Sequence, residues 1–357
     1  MRINTNVPAL RAMNSASATE KQMGRLSRRL SSGTKINSAR DDSAGMAIST
    51  KLRFQVEGTK MATQNSMNSI SLLQTADAGL AEMHSILQRM RELAVQSASD
   101  TNTNEDRKKI QIEIEQLKIE IDSIADKTDY NRIKLLNGHA GLKGTSNDAD
   151  VDVIALSDNI KPGNYSIELK IDINGDLEVD SNLFSNPRIT PIDNDRFTIT
   201  DANNLQMVIQ IKDGIRPYGP FNLNVTDNRL VFQTGANKDM NVEVSIGEIT
   251  TKSLGIDRLN VKTWKEATEA ITSLDLAINR CSEIRSKIGA YQNRLEMINA
   301  NLGTADITLQ TTLSKVFDTD MALDLAELTR QRIVNQGALS VLGQANQRPQ
   351  SVLQLIR

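Results

Sequence analysis

The stretch LSSGTKINSARDDSAGMAIS, Leu30 to Ser49, concentrates residue types that do chemistry. Asp41 and Asp42 lie side by side, with basic Lys35 and Arg40, several hydroxyls, and glycines Gly33 and Gly45. Adjacent carboxylates can seed a metal site or share acid and base roles, but no further ligand lies near them in sequence. They stand just before Ser43-Ala44-Gly45, so their expected role is at a helix N-terminus, where carboxylates meet unpaired amides and the positive end of the dipole. Of the two histidines, His84 and His139, neither belongs to an HExxH pair, and a zinc hydrolase needs two or three ligands on one face. No GxSxG elbow and no GxxxxGK[ST] phosphate loop occurs, so the common serine hydrolase and nucleotidase signatures are missing. Cys281 falls on an apolar helix position, where a thiol acts as a small hydrophobe and burial raises its pKa. As the single cysteine it excludes an intrachain disulfide. Asp148, Asp150 and Asp152 alternate as calcium-loop acids do, but lack the spaced Gly and closing Glu; they read as a solvated loop. The expectation is no enzyme, no metal and no cofactor.

With no reaction to position, the elements themselves carry the information. The 357 residues allow two or three domains, and a formal charge of −2 provides no basic field for nucleic acid or an anionic membrane. No apolar run is long enough to span a bilayer. The N-terminal MRINTNVPALRAMN lacks the pattern of a secretory signal, so composition alone suggests a cytoplasmic protein.

Five of the seven prolines fall between Pro162 and Pro220, and most of the few aromatics between Tyr165 and Phe232. Two long proline-free flanks around that centre predict helix, then sheet, then helix. Leu73, Ala76, Leu80, Met83, Leu87, Met90 and Ala94 follow steps of three and four, as do Ile110, Ile114, Leu117, Ile121 and Ile124. Ala267, Leu274, Cys281, Ile288, Leu295 and Leu302 recur every seven residues, with Trp264, Ile271 and Ile278 beside them. A 3.5-residue period is a coiled-coil seam. In the centre, Tyr165, Ile167, Leu169, Ile171 and Ile173 alternate with polar residues before Asn174-Gly175. Leu205, Met207, Ile209 and Ile211 do so before Asp213-Gly214; Phe221, Leu223, Val225, then Val242, Val244 and Ile246 continue the pattern. Period two closed by such turns predicts antiparallel strands.

The fold class expected is mainly α: a long coiled-coil-like helical rod built by the N- and C-terminal segments, with an inserted antiparallel β-domain. Ile112 and Ile119 face away from the seam, and Ile86 and Leu93 extend the apolar surface of the helix before it. A monomer gains little from outward isoleucine, so these positions imply a second packing partner.

INTN at Ile3–Asn6, RLSSGTKINSARDDSAGMAI at Arg29–Ile48, LQRMRELAVQSA at Leu87–Ala98 and LGQANQRPQSVLQLIR at Leu342–Arg357 resemble bacterial flagellin. The likeness spans about the first 140 and last 95 residues, leaving the centre unmatched. It implies a subunit that polymerises into the flagellar filament for motility. The domains then run 1–44 and 317–357 (inner helical layer, disordered in the free monomer), 45–140 and 257–316 (rod), and 141–256 (surface β-domain). Met23, Leu26 and Leu30 are expected to pair with Leu325, Leu328, Leu339 and Leu342. An isolated helix of this kind has too little packing to offset chain entropy, so ordering on assembly is physically reasonable. Leu30 to Ser49 becomes the connector between layers, with Gly33 and Gly45 giving backbone freedom and Arg40, Asp41 and Asp42 giving directional contacts. Ile112 and Ile119 become candidate subunit contacts.

The resemblance moves the expected location from the cytoplasm to the extracellular flagellum, since flagellins leave by the flagellar export apparatus without a cleaved signal. It implies further partners: an export chaperone on Asp320–Arg357, the filament cap and junction proteins, and Toll-like receptor 5 of a vertebrate host. For that receptor the matching positions are Arg89, Leu93 and Glu113, flanked by Gln88, Glu92 and Gln96. Thr34-Lys35 stands where Leu-Arg is usual, and Val316 to Asp320 departs from the family pattern. Trp264 and Cys281 are unusual for the family. A hook–filament junction protein is the alternative, disfavoured by the KINSARDD and QANQRPQ motifs. An enzyme displayed on the filament lacks its HExxH.

Overall fold

The computed structural model describes residues 6–148, 151–157, 160–171, 177–184, 187–193, 196–201, 206–211 and 218–355. Ile3 to Thr5, Asp150, Ile173, Leu205, the Asn174-Gly175 and Asp213-Gly214 turns, Ile356 and Arg357 lie outside the described residues.

Five helices dominate: α1 Val7–Ser32, α2 Ser43–Ser97, α3 Asn104–Lys127, α4 Trp264–Phe317 and α5 Met321–Leu355. Each begins where side chains satisfy its free amides. Asn6 accepts from the Ala9 amide at α1, and Asp320 accepts from the Ala322 and Leu323 amides at α5. Thr103 with Asp106 at α3, and Thr263 with Glu266 at α4, form reciprocal boxes of hydroxyl, carboxylate and backbone amide. The chain divides into two compact units, Met1–Lys60 with Leu302–Arg357, and Met61–Asn301.

In the larger unit, α2, α3 and α4 supply one continuous core. The seven α2 seam residues from Leu73 to Ala94 are all fully buried, as are Ile114 and Ile121 of α3. Ala267, Leu274, Cys281, Ile288 and Leu295 bury the facing side of α4. The Cys281 thiol lies 3.6 Å from the Leu80 carbonyl, and burial pushes its pKa up to about 11, which leaves it protonated and inert. Trp264 does not join this core; it opens α4 and remains exposed.

A polar row on α3 fastens the returning chain. Arg107 donates to the Ser97 and Ser99 carbonyls, closing the turn between α2 and α3. Gln111 donates to the Leu259 carbonyl at 3.2 Å and accepts from the Val261 amide at 2.8 Å, imitating a strand edge. Lys118 donates to the Asp257 carbonyl, and Asp122 accepts from the Thr251 amide and hydroxyl. These backbone groups have no ladder of their own, so Gln111→Leu strands two of them. It is expected to cost about 1–3 kcal/mol per buried group. The check is thermal unfolding by circular dichroism, with a lowered Tm at unchanged helix content; an unchanged Tm contradicts the bracing role.

Twelve strands occur among the described residues. A small hairpin pairs β1 Asp129–Tyr130 with β2 Ile133–Lys134. One four-stranded antiparallel sheet has the order β3-β10-β5-β6: Leu142–Ser146, Tyr218–Asp227, Gly163–Ile171 and Leu177–Ser181. The other has the order β4-β9-β8-β7: Val151–Leu156, Gln206–Ile211, Arg196–Thr200 and Arg188–Asp193. Their inward rows form a second core, in which Ile167, Phe221 and Leu223 meet Phe197, Ile199, Met207 and Ile209.

Strands β11 Leu230–Gln233 and β12 Asn241–Val244 form a separate pair. Val242, Val244 and Ile246 pack into the helical core and not into the sheet core. Alternation at these positions marks a buried face without saying what buries it.

Candidate assembly surface and connector joint

In the smaller unit, α1 packs against α5. The α1 seam is Ala9, Ala12, Ala16, Thr19, Met23, Leu26 and Leu30; the α5 seam is Asp324, Leu328, Gln331, Asn335, Ala338, Leu342 and Ala345. Both advance by alternating threes and fours, the 3.5 period of a helix pair. The Asn6 amide adds a hydrogen bond to the Ala345 carbonyl. Met23, Leu26, Leu30, Leu328 and Leu342 therefore face the pairing seam. Leu325 and Leu339 do not: they are 57% and 54% exposed, because each lies one step off the three-and-four progression. Val7, Leu10 and Met13 of α1, and Leu323, Ile333, Val334 and Val341 of α5, are exposed as well. The pair buries mainly small and polar residues and turns much of its apolar surface outward.

The connector is built differently from a flexible loop. Gly33 ends α1 in the left-handed region, at φ 71°, which favours glycine. Its carbonyl accepts from the Thr319 amide at 3.1 Å, and the Lys35 amide donates to the Phe317 carbonyl at 2.7 Å. Thr34 thereby forms an antiparallel bridge with Asp318, joining the N-terminal connector to the C-terminal one. The bond is between backbones, so it tolerates the departures at Thr34-Lys35 and at Val316 to Asp320. The Arg53 guanidinium lies 4.1 Å over the Phe317 ring, a cation–π contact at the same joint.

The contacts of Asp41 and Asp42 are local rather than directed at another segment. Asp41 accepts from the Ser38 hydroxyl and from the Asn37 and Ser38 amides, and the Ser38 hydroxyl is the main group holding its carboxyl below the usual range. Asp42 accepts from the Gly45 amide at 2.9 Å, capping α2. Arg40 is exposed. Gly45 is a buried residue of the first turn of α2, and space is what requires glycine there. A Cβ would meet the Asp42 carboxylate at 2.5 Å and the Ile36 side chain at 2.6 Å.

In the larger unit, the outward faces of α2 and α3 carry the remaining candidates. Ile112 and Ile119 are 64% and 60% exposed. Arg89 donates to Glu113 across the two helices at 2.9 and 3.1 Å and to Glu92 one turn along at 3.4 Å, all three being exposed. Gln88 shares a 3.0 Å hydrogen bond with His84, and Gln96 is exposed at the end of α2. Leu93 departs from expectation. It is 2% exposed and belongs to the helical core, because three packed helices bury a wider stripe than a two-helix seam. Among the residues that sequence reasoning missed, the α1 alanines, Gln331 and Asn335 have too little apolar signal to mark a seam. Arg53 and Phe317 are 264 positions apart, and only the fold brings them together.

Two family models match the chain: the bacterial flagellin N-terminal helical region over residues 3–140 and the bacterial flagellin C-terminal helical region over residues 271–356. A flagellin of Clostridium tyrobutyricum is 37% identical, covering 98% of this chain and 100% of that protein. A flagellin of Bacillus subtilis (strain 168) is 33% identical over 100% of both. Among solved structures, Bacillus cereus flagellin is 25% identical and covers 67% of this chain and 88% of its own, with a TM-score of 0.35. The flagellar junction protein of Legionella pneumophila is 17% identical over 75% of this chain and 98% of its own, with a TM-score of 0.34. Paired N- and C-terminal helical regions, and full-length identity above thirty per cent, place the identification beyond the fold: the chain belongs to the bacterial flagellin family.

Proposed function

We propose that this chain polymerises through its two terminal segments. Residues 1–44 and 317–357 form the inner layer of the filament, 45–140 and 257–316 the rod around it, and 141–256 the surface domain, whose stretch from Val242 to Ile256 packs into the helical core. Flagellins are structural subunits of an extracellular filament and not enzymes. The observation that carries the assembly reading is the outward apolar face of the α1–α5 pair, which includes Val7, Leu10, Leu325, Ile333 and Leu339. A buried leucine or isoleucine contributes about 1.5–3 kcal/mol, so a face of this kind favours burial against further copies. Seeded polymerisation of an Ile333→Asp, Leu339→Asp double variant tests it. Addition to seeds is expected to be lost; growth at the normal rate contradicts the reading.

The same face on α5 suits a chaperone that holds residues 320–357 before export, and the assembled chain meets the filament cap and junction proteins. For a Toll-like receptor 5 site, the cross-helix pair Arg89–Glu113 is the centre, with Gln88, Glu92 and Gln96 around it. Buried Leu93 serves that surface by holding α2 in place. Exposed ion pairs contribute little to stability. Arg89→Ala with Glu113→Ala is therefore expected to leave Tm unchanged and to weaken receptor signalling in reporter cells. Undiminished signalling removes the pair from the site.

A further inference from the structure

The chain's formal charge of −2 conceals an uneven distribution. The charged residues of α1 are basic Arg11, Lys21, Arg25, Arg28 and Arg29, with Glu20 the one acid among them. At about 100° per residue, Val7, Leu10, Arg11, Lys21, Arg25 and Arg28 share one face, opposite the seam that meets α5. All six are exposed, and Glu20 lies off this face. Among the described residues, Arg11, Lys21 and Arg25 enter no ion pair or hydrogen bond. Arg28 reaches one carboxylate through space: of the groups that lower the Asp41 pKa, the Ser38 hydroxyl does most and Arg28 least. Lys21, Arg25 and Arg28 follow at steps of four and three, where like charges repel and weaken a helix. Nothing in the chain offsets that cost. The expectation that no basic field exists holds for the chain as a whole and fails at α1.

A partner for this face must be anionic along Lys21, Arg25 and Arg28 and apolar at Val7 and Leu10. A second copy of the chain covers the apolar end but not the basic one. Its α1 carries the same charge, and four outward acids of its α3 are already paired: Glu105 with Lys108, Asp106 with Lys109, Glu113 with Arg89, and Glu115 with Lys118. Nucleic acid supplies phosphates but leaves Val7 and Leu10 in water, and α1 has no aromatic ring on which bases could stack. An anionic bilayer supplies both partners, since cations settle on lipid phosphates while apolar side chains enter the acyl boundary. We propose that the unpolymerised chain docks the outward face of α1 on an anionic lipid surface. The proposal does not rest on polymerisation: Val7 and Leu10 meet lipid in the free chain and other copies in a filament.

Vesicle flotation of the full-length chain, kept free of seeds, tests this, because lipid-bound chain floats and polymer sinks. The vesicles are phosphatidylcholine alone, or phosphatidylcholine with about 30% phosphatidylglycerol. The expected result is flotation with the anionic vesicles only, reversed by about 0.5 M sodium chloride. Lys21→Gln with Arg25→Gln is expected to lower the bound-to-free ratio about fivefold for each cation removed. Lys108→Gln with Lys109→Gln removes the same charge from α3 and is expected to leave flotation unchanged. All four positions are exposed, so the Tm is expected to stay that of the native chain. No flotation with anionic vesicles, equal flotation with neutral ones, or undiminished flotation of the Lys21 and Arg25 variant overturns the proposal. So does an equal loss in the Lys108 and Lys109 variant. Chain recovered as polymer beside bare vesicles assigns the face to a second copy, and chain stripped from the vesicles by excess polyuridylate assigns it to nucleic acid. Either result overturns the proposal as well.

Discussion

Removal of residues 325–357 abolishes filament formation and leaves the helical core folded; this is the largest effect expected of any change in the chain. The deletion takes Leu328, Leu342 and Ala345 from the α1 seam, together with the outward Leu325, Ile333, Val334, Leu339 and Val341. It touches none of the residues that close the core of the Met61–Asn301 unit. Without α5, the α1 seam keeps only Leu26, Met23, Leu30 and small residues. Such a helix is too weakly packed to hold its structure in water. The measurements are sedimentation after seeding and thermal unfolding. The expected outcome is no pelleted polymer and a preserved cooperative transition. A truncated chain that still pellets as polymer contradicts the pairing of the termini, and loss of the transition shows that α5 supports the larger unit.

The second large effect separates two isoleucines only two positions apart on α3. Ile114 is fully buried in the helical core, whereas Ile112 is 64% exposed. Aspartate at Ile114 places a carboxylate in the apolar helical core. Such a charge either protonates or unfolds its surroundings, so a loss above about 4 kcal/mol is expected. Aspartate at Ile112 stays solvated, and its expected cost to the monomer is within about 0.5 kcal/mol. If Ile112 contacts a neighbouring subunit, Ile112→Asp instead lowers polymerisation, seen as a raised critical concentration at unchanged Tm. A large Tm loss for Ile112→Asp places that residue in the monomer core. Normal assembly at unchanged Tm removes it from the subunit contact.

Much of the helical architecture was legible because burial follows type and spacing together. The α2 seam from Leu73 to Ala94 and the α4 seam from Ala267 to Leu295 are buried at every position, while Leu302, the last of the heptad series, is half-buried. Residue type without spacing misplaces side chains. Leu325 and Leu339 are leucines on the right helix but lie off its seam, while Gln331 and Asn335 occupy it. The α3 row of Arg107, Gln111, Lys118 and Asp122 was invisible to hydrophobic patterning. Its work is done by hydrogen bonds to backbone groups more than a hundred residues away in three of the four cases.

The connector shows the same limit. Its dense polarity is of the kind that chemistry uses. In the fold Asp41 and Asp42 are spent on amides within the loop and first turn, and the long-range link is a pair of backbone bonds from Lys35 to Phe317 and from Thr319 to Gly33. Backbone pairing leaves little trace in side-chain sequence. Short strands such as β3, with the sequence LKGTS, were missed because they lack an alternating row of large apolar residues.

The central claim is that the terminal helices complete themselves only by packing with further copies of the chain. Electron microscopy of the purified full-length protein, incubated with short filament seeds, tests it most directly. The account predicts long helical filaments extending from the seeds and consuming the monomer. Full-length protein that stays monomeric beside unextended seeds contradicts it.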